Sequence, residues 1–139
     1  MPTWLKIILA ICAVGIAAMI GVGFVAYNWA MKNRDTFEKV PKQGQEYGKG
    51  KTFEQCADAA VEQLGSNAFD LTKRMQAQMF ITGCLSTAEK SPELCATAPQ
   101  PSEILKLGQW TADQCRKRNS NNPQGCAQMY QIVAASCHR

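Results

Sequence analysis

Histidine is almost absent from this sequence, whose single histidine, His138, is the next-to-last residue. Histidine is the side chain used most often for general acid–base catalysis and for metal ligation. The acids of the C-terminal part are scattered over the polar faces of predicted helices, and no histidine is placed to act with them. We therefore predict that the protein is not an enzyme and has no cofactor and no metal site. A metal held by Cys137 and His138 is an alternative, and a frayed chain end is the simpler interpretation.

Short spacings between cysteines are absent too. The sequence has seven cysteines but no C-x-x-C motif, so it lacks the signature of thioredoxin-like redox proteins and of the usual zinc pairs. It also has no C-x-x-C-H motif, which would mark the attachment of a c-type haem. These absences leave structural disulfides as the main interpretation of the cysteines.

Net charge is absent from the C-terminal part. Seven of the 15 Lys and Arg and three of the 11 Asp and Glu precede residue 52, so residues 52–139 contain eight of each. A neutral domain has no field to attract nucleic acid, and we predict no nucleic-acid partner. The excess positive charge belongs to residues 1–51, where it can contact anionic lipid headgroups or lie in a solvated linker.

One long apolar run is present, from Ile7 to Met31, and it contains no charged residue. A helix of that length spans roughly 37 Å, which is enough to cross the hydrocarbon core of a bilayer. Trp4 lies at one end of the run, and Tyr27 and Trp29 at the other, as in the aromatic belts of membrane proteins. We predict a transmembrane anchor over residues 1–31, because the apolar region of a cleaved signal peptide is shorter.

Small residues recur every fourth position within this anchor, at Ala13, Ala17 and Gly21. Such a ridge lets transmembrane helices approach each other closely, so helix–helix association in the membrane is a candidate role. Ala and Gly are also common in transmembrane helices that do not associate.

Residues 32–51 are polar and include Pro41 and three glycines, which predicts a basic flexible linker. The segment from Gly44 to Thr52 is close to a phosphate-binding loop. We reject that interpretation because the spacing is one residue too long and no apolar strand precedes it.

Residues 52–139 show helical periodicity and no strand alternation, which predicts an all-α fold: a small bundle of four or five helices. Thr52 with Gln55 predicts a capping box, and Gly65 the end of that helix. A second helix is predicted from about Ser66 to Ala88, with a buried stripe that includes Phe80 and Ile81. On the fourth predicted helix, the apolar pattern places five residues toward the core: Ile104, Leu105, Gly108, Ala112 and Cys115.

Six cysteines lie in this domain: Cys56, Cys84, Cys95, Cys115, Cys126 and Cys137. Cys126 and Cys137 share one predicted helix and lie about 16 Å apart along it, too far for a disulfide. Because the other close cysteines span helix–helix corners, the preferred bridges are Cys84–Cys95, Cys115–Cys126 and Cys56–Cys137. A nested set, Cys84–Cys126 with Cys95–Cys115, is the alternative.

The compartment is indicated by two signals that disagree. Five basic residues follow the apolar run closely, and the positive-inside rule would place the domain in the cytoplasm. Six evenly distributed cysteines are typical of an oxidising compartment. We favour the cysteines and predict a domain in the periplasm, or, for a eukaryotic protein, in the mitochondrial intermembrane space.

Interaction residues are the remaining candidates for function. Trp110 falls off the main apolar stripe of its helix, and Arg116, Lys117 and Arg118 form a basic cluster nearby. Aromatic residues with arginine are enriched at interface hot spots. Core packing of Trp110, and a favourable electrostatic effect of the cluster at a helix C-terminus, are the simpler interpretations.

The nested pairing would resemble the twin C-x9-C helical hairpins of the mitochondrial intermembrane space, although the spacers here have ten residues and Ser91-Pro92 interrupts the helix. A second resemblance is carried by five features: Cys84-Leu85, Leu94-Cys95, Pro101-Ser102-Glu103-Ile104-Leu105, Trp110 with Cys115, and the helix with Cys126 and Cys137. In these features the overall layout is similar to small bacterial single-pass membrane proteins with a cysteine-stapled helical domain, a resemblance that implies no activity.

The sequence therefore supports two hypotheses. The first is a membrane-anchored, non-enzymatic interaction protein with an unidentified protein partner, such as an accessory subunit or assembly factor of a membrane complex. The second is a thiol–disulfide redox protein at the membrane surface.

Overall fold

A computed structural model describes residues 3–66 and 70–139 of the chain. The chain divides into two compact units, Met1–Asp35 and Thr36–Arg139. Over the described ranges the secondary structure is helical, without a strand. The helices are α1 (Thr3–Lys32), α2 (Arg34–Gly48), α3 (Phe53–Leu64), α4 (Leu71–Leu85), α5 (Pro92–Thr97), α6 (Ile104–Lys117) and α7 (Pro123–Cys137).

Helix α1 contains the predicted anchor. Its segment Ile7–Lys32 has a mean hydropathy of 2.7 and is long and apolar enough to cross a membrane. The apolar side chains of this segment are exposed, as Val14, Met19 and Val22 show at 70%, 79% and 71%. Ala13, Ala17 and Gly21 lie on this helix, and a Cβ atom on Gly21 would have no atom of the described chain within 4 Å.

The second unit packs α7 against α3, α4 and α6. The side chains of Ile81, Met129, Tyr130 and Val133 are fully buried between these helices. Leu64 of α3 lies beside Gly125 of α7, while Asp58 bonds to Tyr130, so α3 and α7 are antiparallel. The predicted all-α fold is confirmed for the described residues.

Local signals in the sequence explain several helix ends. Thr52 and Gln55 form the predicted capping box at the start of α3, and Gly65 ends that helix with a φ of 61° that an L side chain rarely adopts. Asp70 caps α4 by accepting a hydrogen bond from the Lys73 amide. The second predicted helix was placed from residue 66 onward, and residues 67–69 of it lie outside the described ranges.

The segment expected to be a flexible linker contains helix α2, which packs on α4. A Cβ atom on Gly44 would collide with the Phe80 carbonyl oxygen, and one on Gly48 with the Cys84 carbonyl oxygen. On the opposite side, a Cβ atom on Gly83 would collide with the carbonyl oxygen of Pro41. Glycines that were interpreted as signs of flexibility therefore permit the close approach of two helices.

The orientation expected for α6 is confirmed at Cys115 and is wrong at the start of the helix. Ile104 and Leu105, predicted to face the core, are 78% and 84% exposed. The buried residues of this helix are Thr111, Gln114 and Cys115. This face can be polar because Thr111 donates to the Gly108 carbonyl oxygen and the Gln114 side chain accepts from Arg118 at the end of the same helix. An apolar pattern does not predict such a face.

Three disulfides link different helices of the second unit: Cys56–Cys84, Cys95–Cys137 and Cys115–Cys126. Their Cα–Cα distances are 5.8, 5.3 and 5.9 Å, within the range that a disulfide permits.

Of the three preferred pairs, one is present, Cys115–Cys126. The structure contradicts the other two, Cys84–Cys95 and Cys56–Cys137, and it contradicts the nested set as well. The reason is the packing of helices that are distant in the sequence. Helix α3 packs along α4, which brings Cys56 to Cys84. Lys90 and Ala98, which flank α5, contact the end of α7 at Cys137 and His138, so Cys95 lies beside Cys137.

Candidate functional site

An open groove of about 760 Å³ lies between α4 and α7 in the second unit. Phe53, Leu85, Ile132 and Ala135 give it an apolar lining. Among the described residues of the lining, Lys90 and Arg139 are cationic and none is acidic. Lys90 donates a hydrogen bond of 3.3 Å to the carbonyl oxygen of Cys137, so the cationic end lies where α4 and α7 both end. We call this surface the α4–α7 groove.

Apart from Lys90 and Arg139, the polar side chains of the α4–α7 groove are uncharged hydroxyls and amides. The hydroxyls of Thr82, Ser86 and Ser136 each donate to a carbonyl of their own helix or its end, at 2.7, 2.6 and 2.9 Å. Their oxygen lone pairs stay available as acceptors. Three glutamines add amide groups that can donate and accept: Gln78, Gln128 and Gln131.

One of these amides has an unsatisfied atom. The side-chain oxygen of Gln128 is buried and has no hydrogen-bond partner among the described residues. A buried acceptor without a partner costs about 1–3 kcal/mol, so a ligand that donates a hydrogen bond here would gain from satisfying it.

A smaller apolar pocket of about 330 Å³ adjoins the groove between α2 and α4. Met75 and Met79 line it together with Phe37 and Pro41. Gln78 and Thr82 belong to both linings, so the two depressions form one continuous surface along α4. Methionine adapts its shape to different partners, which suits a binding surface.

The predicted basic cluster does not act as one site, because Arg118 points its charge inward. Its side chain is 18% exposed and forms ion pairs with Glu54 and Asp58 of α3. Its guanidinium carbon lies 4.8 Å from the centroid of the Tyr130 ring. The Tyr130 hydroxyl donates to Asp58 at 3.2 Å. Arg118 therefore joins α6 to α3 and α7.

Burial in this cluster keeps Tyr130 neutral. Removal of the phenol from water, together with the nearby negative charge of Asp58, raises the pKa of Tyr130 far above its ordinary value. The raised pKa reflects a structural contact, since the Tyr130 hydroxyl donates to the Asp58 carboxylate and lines no cavity described above.

The other predicted interaction residues are divided between the core and the surface. Trp110 is half-buried, donates to the Thr97 hydroxyl at 3.3 Å, and meets the Tyr130 ring edge-on at 5.8 Å. Arg116 and Lys117 are exposed, and Arg116 pairs with Asp113 on its own helix. The structure thus brings together Trp110 and Arg118, through Tyr130, and leaves Arg116 and Lys117 apart from them.

Within residues 3–66 and 70–139, no group of three or more His, Cys, Asp or Glu side chains is close enough to hold a metal ion. A ring nitrogen of His138 lies 3.0 Å from the carbonyl oxygen of Ala98, so this residue contacts the folded domain.

Sequence reasoning missed the α4–α7 groove, although α7 carried a signal. Helix α7 has no charged residue, yet three glutamines lie along it. An uncharged polar face is unusual on the exposed side of a helix, because most such faces carry Lys and Glu.

Comparisons with known proteins add no relatives. No protein-family model matches the chain, and no curated protein and no solved structure is significantly similar to it.

Proposed function

We propose that the chain is a membrane-anchored, non-enzymatic interaction protein, such as an accessory subunit or assembly factor of a membrane complex. The observation that carries this proposal is the continuous surface formed by the α4–α7 groove and its neighbouring apolar pocket. In this proposal α1 anchors the chain in the bilayer, and the disulfide-linked unit faces the periplasm or the mitochondrial intermembrane space.

The chemistry of the surface favours a protein segment that carries a carboxylate. The side chains of Lys90 and Arg139 supply positive charge at one end, with no acidic side chain in the lining to neutralise it. The hydroxyl lone pairs and glutamine amides match the N–H and C=O groups of a peptide backbone. An acyl chain of a lipid cannot donate a hydrogen bond to the buried side-chain oxygen of Gln128 and would leave it without a partner, which is costly.

A site-specific cross-linking experiment tests this function. A photoreactive amino acid is placed at Gln131, which is exposed and lines the groove, in the full chain in its native membranes. The matched control is Gln124, an exposed glutamine of the same helix outside the groove lining. We expect a discrete higher-mass adduct from position 131 and none from position 124.

Charge provides the second arm of the experiment. Lys90→Glu should reduce the adduct at least fivefold if a carboxylate binds at the cationic end, whereas Lys117→Glu on α6 should leave it unchanged. Equal adducts from positions 131 and 124, or no discrete adduct from any surface position of the domain, would count against an interaction protein that uses this surface.

A further inference from the structure

The three disulfides differ in their access to solvent. Cys56, Cys84 and Cys126 are fully buried and Cys115 is 4% exposed, so both sulfurs of two bridges lie inside the core. Cys95 and Cys137 are both half-buried at the edge of that core. A thiolate must reach a disulfide sulfur in line with the bond, so access decides which bridge exchanges.

The elements that hold this bridge are also weakly anchored. Helix α5 has six residues, and Leu94 is the residue that it buries. Cys137 is the last residue of α7, in the final turn of the helix. Short helices and helix ends open locally at a lower free energy than core helices do. The Cys95–Cys137 bridge can therefore become reachable while the rest of the domain stays folded.

Charge distinguishes the two sulfurs of the bridge. Lys90 donates to the carbonyl oxygen of Cys137 at 3.3 Å, which holds an ammonium group beside this residue. A nearby cation stabilises a thiolate, and the sulfur that leaves most readily is the one whose thiolate is more stable. Helix α5 holds Cys95 and includes the acid Glu93 but no basic residue. The C-terminal end of α7 opposes a thiolate on Cys137 with a partial negative charge of about half an elementary charge. The full positive charge of Lys90 is the larger effect, so Cys137 is the better leaving group.

We propose that Cys95–Cys137 is a thiol–disulfide exchange site, whereas Cys56–Cys84 and Cys115–Cys126 are structural. The substrate class is a small thiol or an exposed cysteine of another protein. Its thiolate attacks the sulfur of Cys95, and a mixed disulfide forms there. The Cys95–Cys137 bond breaks, and Cys137 leaves as a thiolate and takes a proton from water.

A second thiol completes the exchange. It attacks the incoming sulfur of the mixed disulfide and releases Cys95 as a thiolate. The bridge has then gained two electrons and two protons, and two substrate thiols have become one disulfide. The covalent link between α5 and the end of α7 is lost, while both core bridges persist.

Timed reduction of the full chain tests the proposal. Oxidised Cys12→Ser protein in detergent is incubated with reduced glutathione, quenched with an alkylating reagent and mapped by mass spectrometry. The substitution removes the free cysteine of α1. We expect Cys95 and Cys137 to be modified at least tenfold faster than the other four cysteines, with helical circular dichroism retained. Simultaneous reduction of all three bridges, or earlier reduction of a core bridge, would overturn the proposal.

A separate measurement tests whether the incoming thiolate attacks Cys95 or Cys137. At short times we expect glutathione on Cys95 in preference to Cys137. Lys90→Met should slow the opening about threefold, whereas Lys117→Met, which removes an exposed lysine of α6, should not change it. Glutathione found mainly on Cys137, or equal rates in the two lysine variants, would overturn the assignment of Cys137 as the leaving group.

Discussion

Some residues of this domain have contacts that their sequence pattern does not indicate, and Arg118 is the clearest example. Its charge lies inside the protein, between Glu54 and Asp58 and over the ring of Tyr130. A guanidinium supplies five donors in a planar fork, so one arginine can satisfy several acceptors from different helices. The sequence shows a basic run, but the partners come from α3, which is distant along the chain.

The raised pKa of Tyr130 predicts sensitivity to alkali. An unfolded tyrosine loses its proton above about pH 10, whereas the folded protein keeps it, so the unfolded state binds fewer protons there. The stability that this residue contributes is fully present below about pH 10 and falls by about 1.4 kcal/mol per pH unit above it. Tyr130→Phe should remove this part of the decline.

The measurement is the free energy of unfolding of both proteins between pH 8 and 11. The two curves should differ in slope only in the alkaline part, because every other titrating group is shared. Parallel curves up to the highest pH would show that Tyr130 ionises as easily in the folded protein as in the unfolded one.

Among the elements, α2 gives the most specific structural claim. Gly44 and Gly48 are one helical turn apart, and each sits against the backbone of α4. Tyr47 of α2 meets the Phe80 ring at 5.6 Å, and the Thr87 hydroxyl donates to the Gln45 carbonyl at 2.7 Å. The helix is therefore held on the domain by backbone approach, ring contact and a hydrogen bond.

Gly44→Ala should destabilise the domain by about 1–3 kcal/mol, because the added methyl group must push α2 away from α4. Gly108→Ala on α6 is the matched control. Its Cβ atom meets nothing within 4 Å, so it should stabilise the helix by about 0.5–1 kcal/mol. Chemical denaturation of both variants gives the comparison, and equal stability changes would contradict the packing of α2.

The elements also show what a sequence can and cannot predict here. The capping box at Thr52 and the stop at Gly65 are local, and both were predictable from neighbouring residues. The buried stripe of α4 followed from its periodicity, including Phe80 and Ile81. The inner face of α6 did not, because Arg118 and Trp110 are stabilised there by partners on other elements.

The prediction of the cysteine pairs was wrong for two of the three bridges, for the same physical reason. Cys115–Cys126 spans one corner, and its geometry depends only on the two helices that flank it. The other two bridges depend on how α3 and α5 return to α4 and α7, which is decided by tertiary packing. The groove could not be predicted for the same reason, because its two walls, residues 78–90 and 128–139, are far apart in the sequence.

At the scale of the whole molecule, covalent links compensate for a small core. The bridges span sequence separations of 28, 42 and 11 residues. In the chain-entropy model, loops of these sizes contribute about 3–4 kcal/mol each to stability. Because disulfides persist in oxidising compartments, this dependence supports the proposed location outside the cytoplasm.

Orientation in the membrane follows as a prediction. Ser102 is exposed on the second unit, and Ser102→Cys provides a reactive thiol there in a Cys12→Ser chain. In intact bacterial cells or in mitochondria with a ruptured outer membrane, a membrane-impermeant maleimide should label this thiol without further lysis. Labelling that requires disruption of the inner membrane would place the domain on the other side, as the basic flank of the anchor indicates.

Peptide mapping without reductant tests the covalently linked fold most directly, with the full chain isolated from its native membranes and alkylated during extraction. We expect three linked peptides, containing Cys56 with Cys84, Cys95 with Cys137, and Cys115 with Cys126, and we expect Cys12 to be alkylated. Six alkylated cysteines in the second unit would contradict both the covalently linked fold and the oxidising compartment.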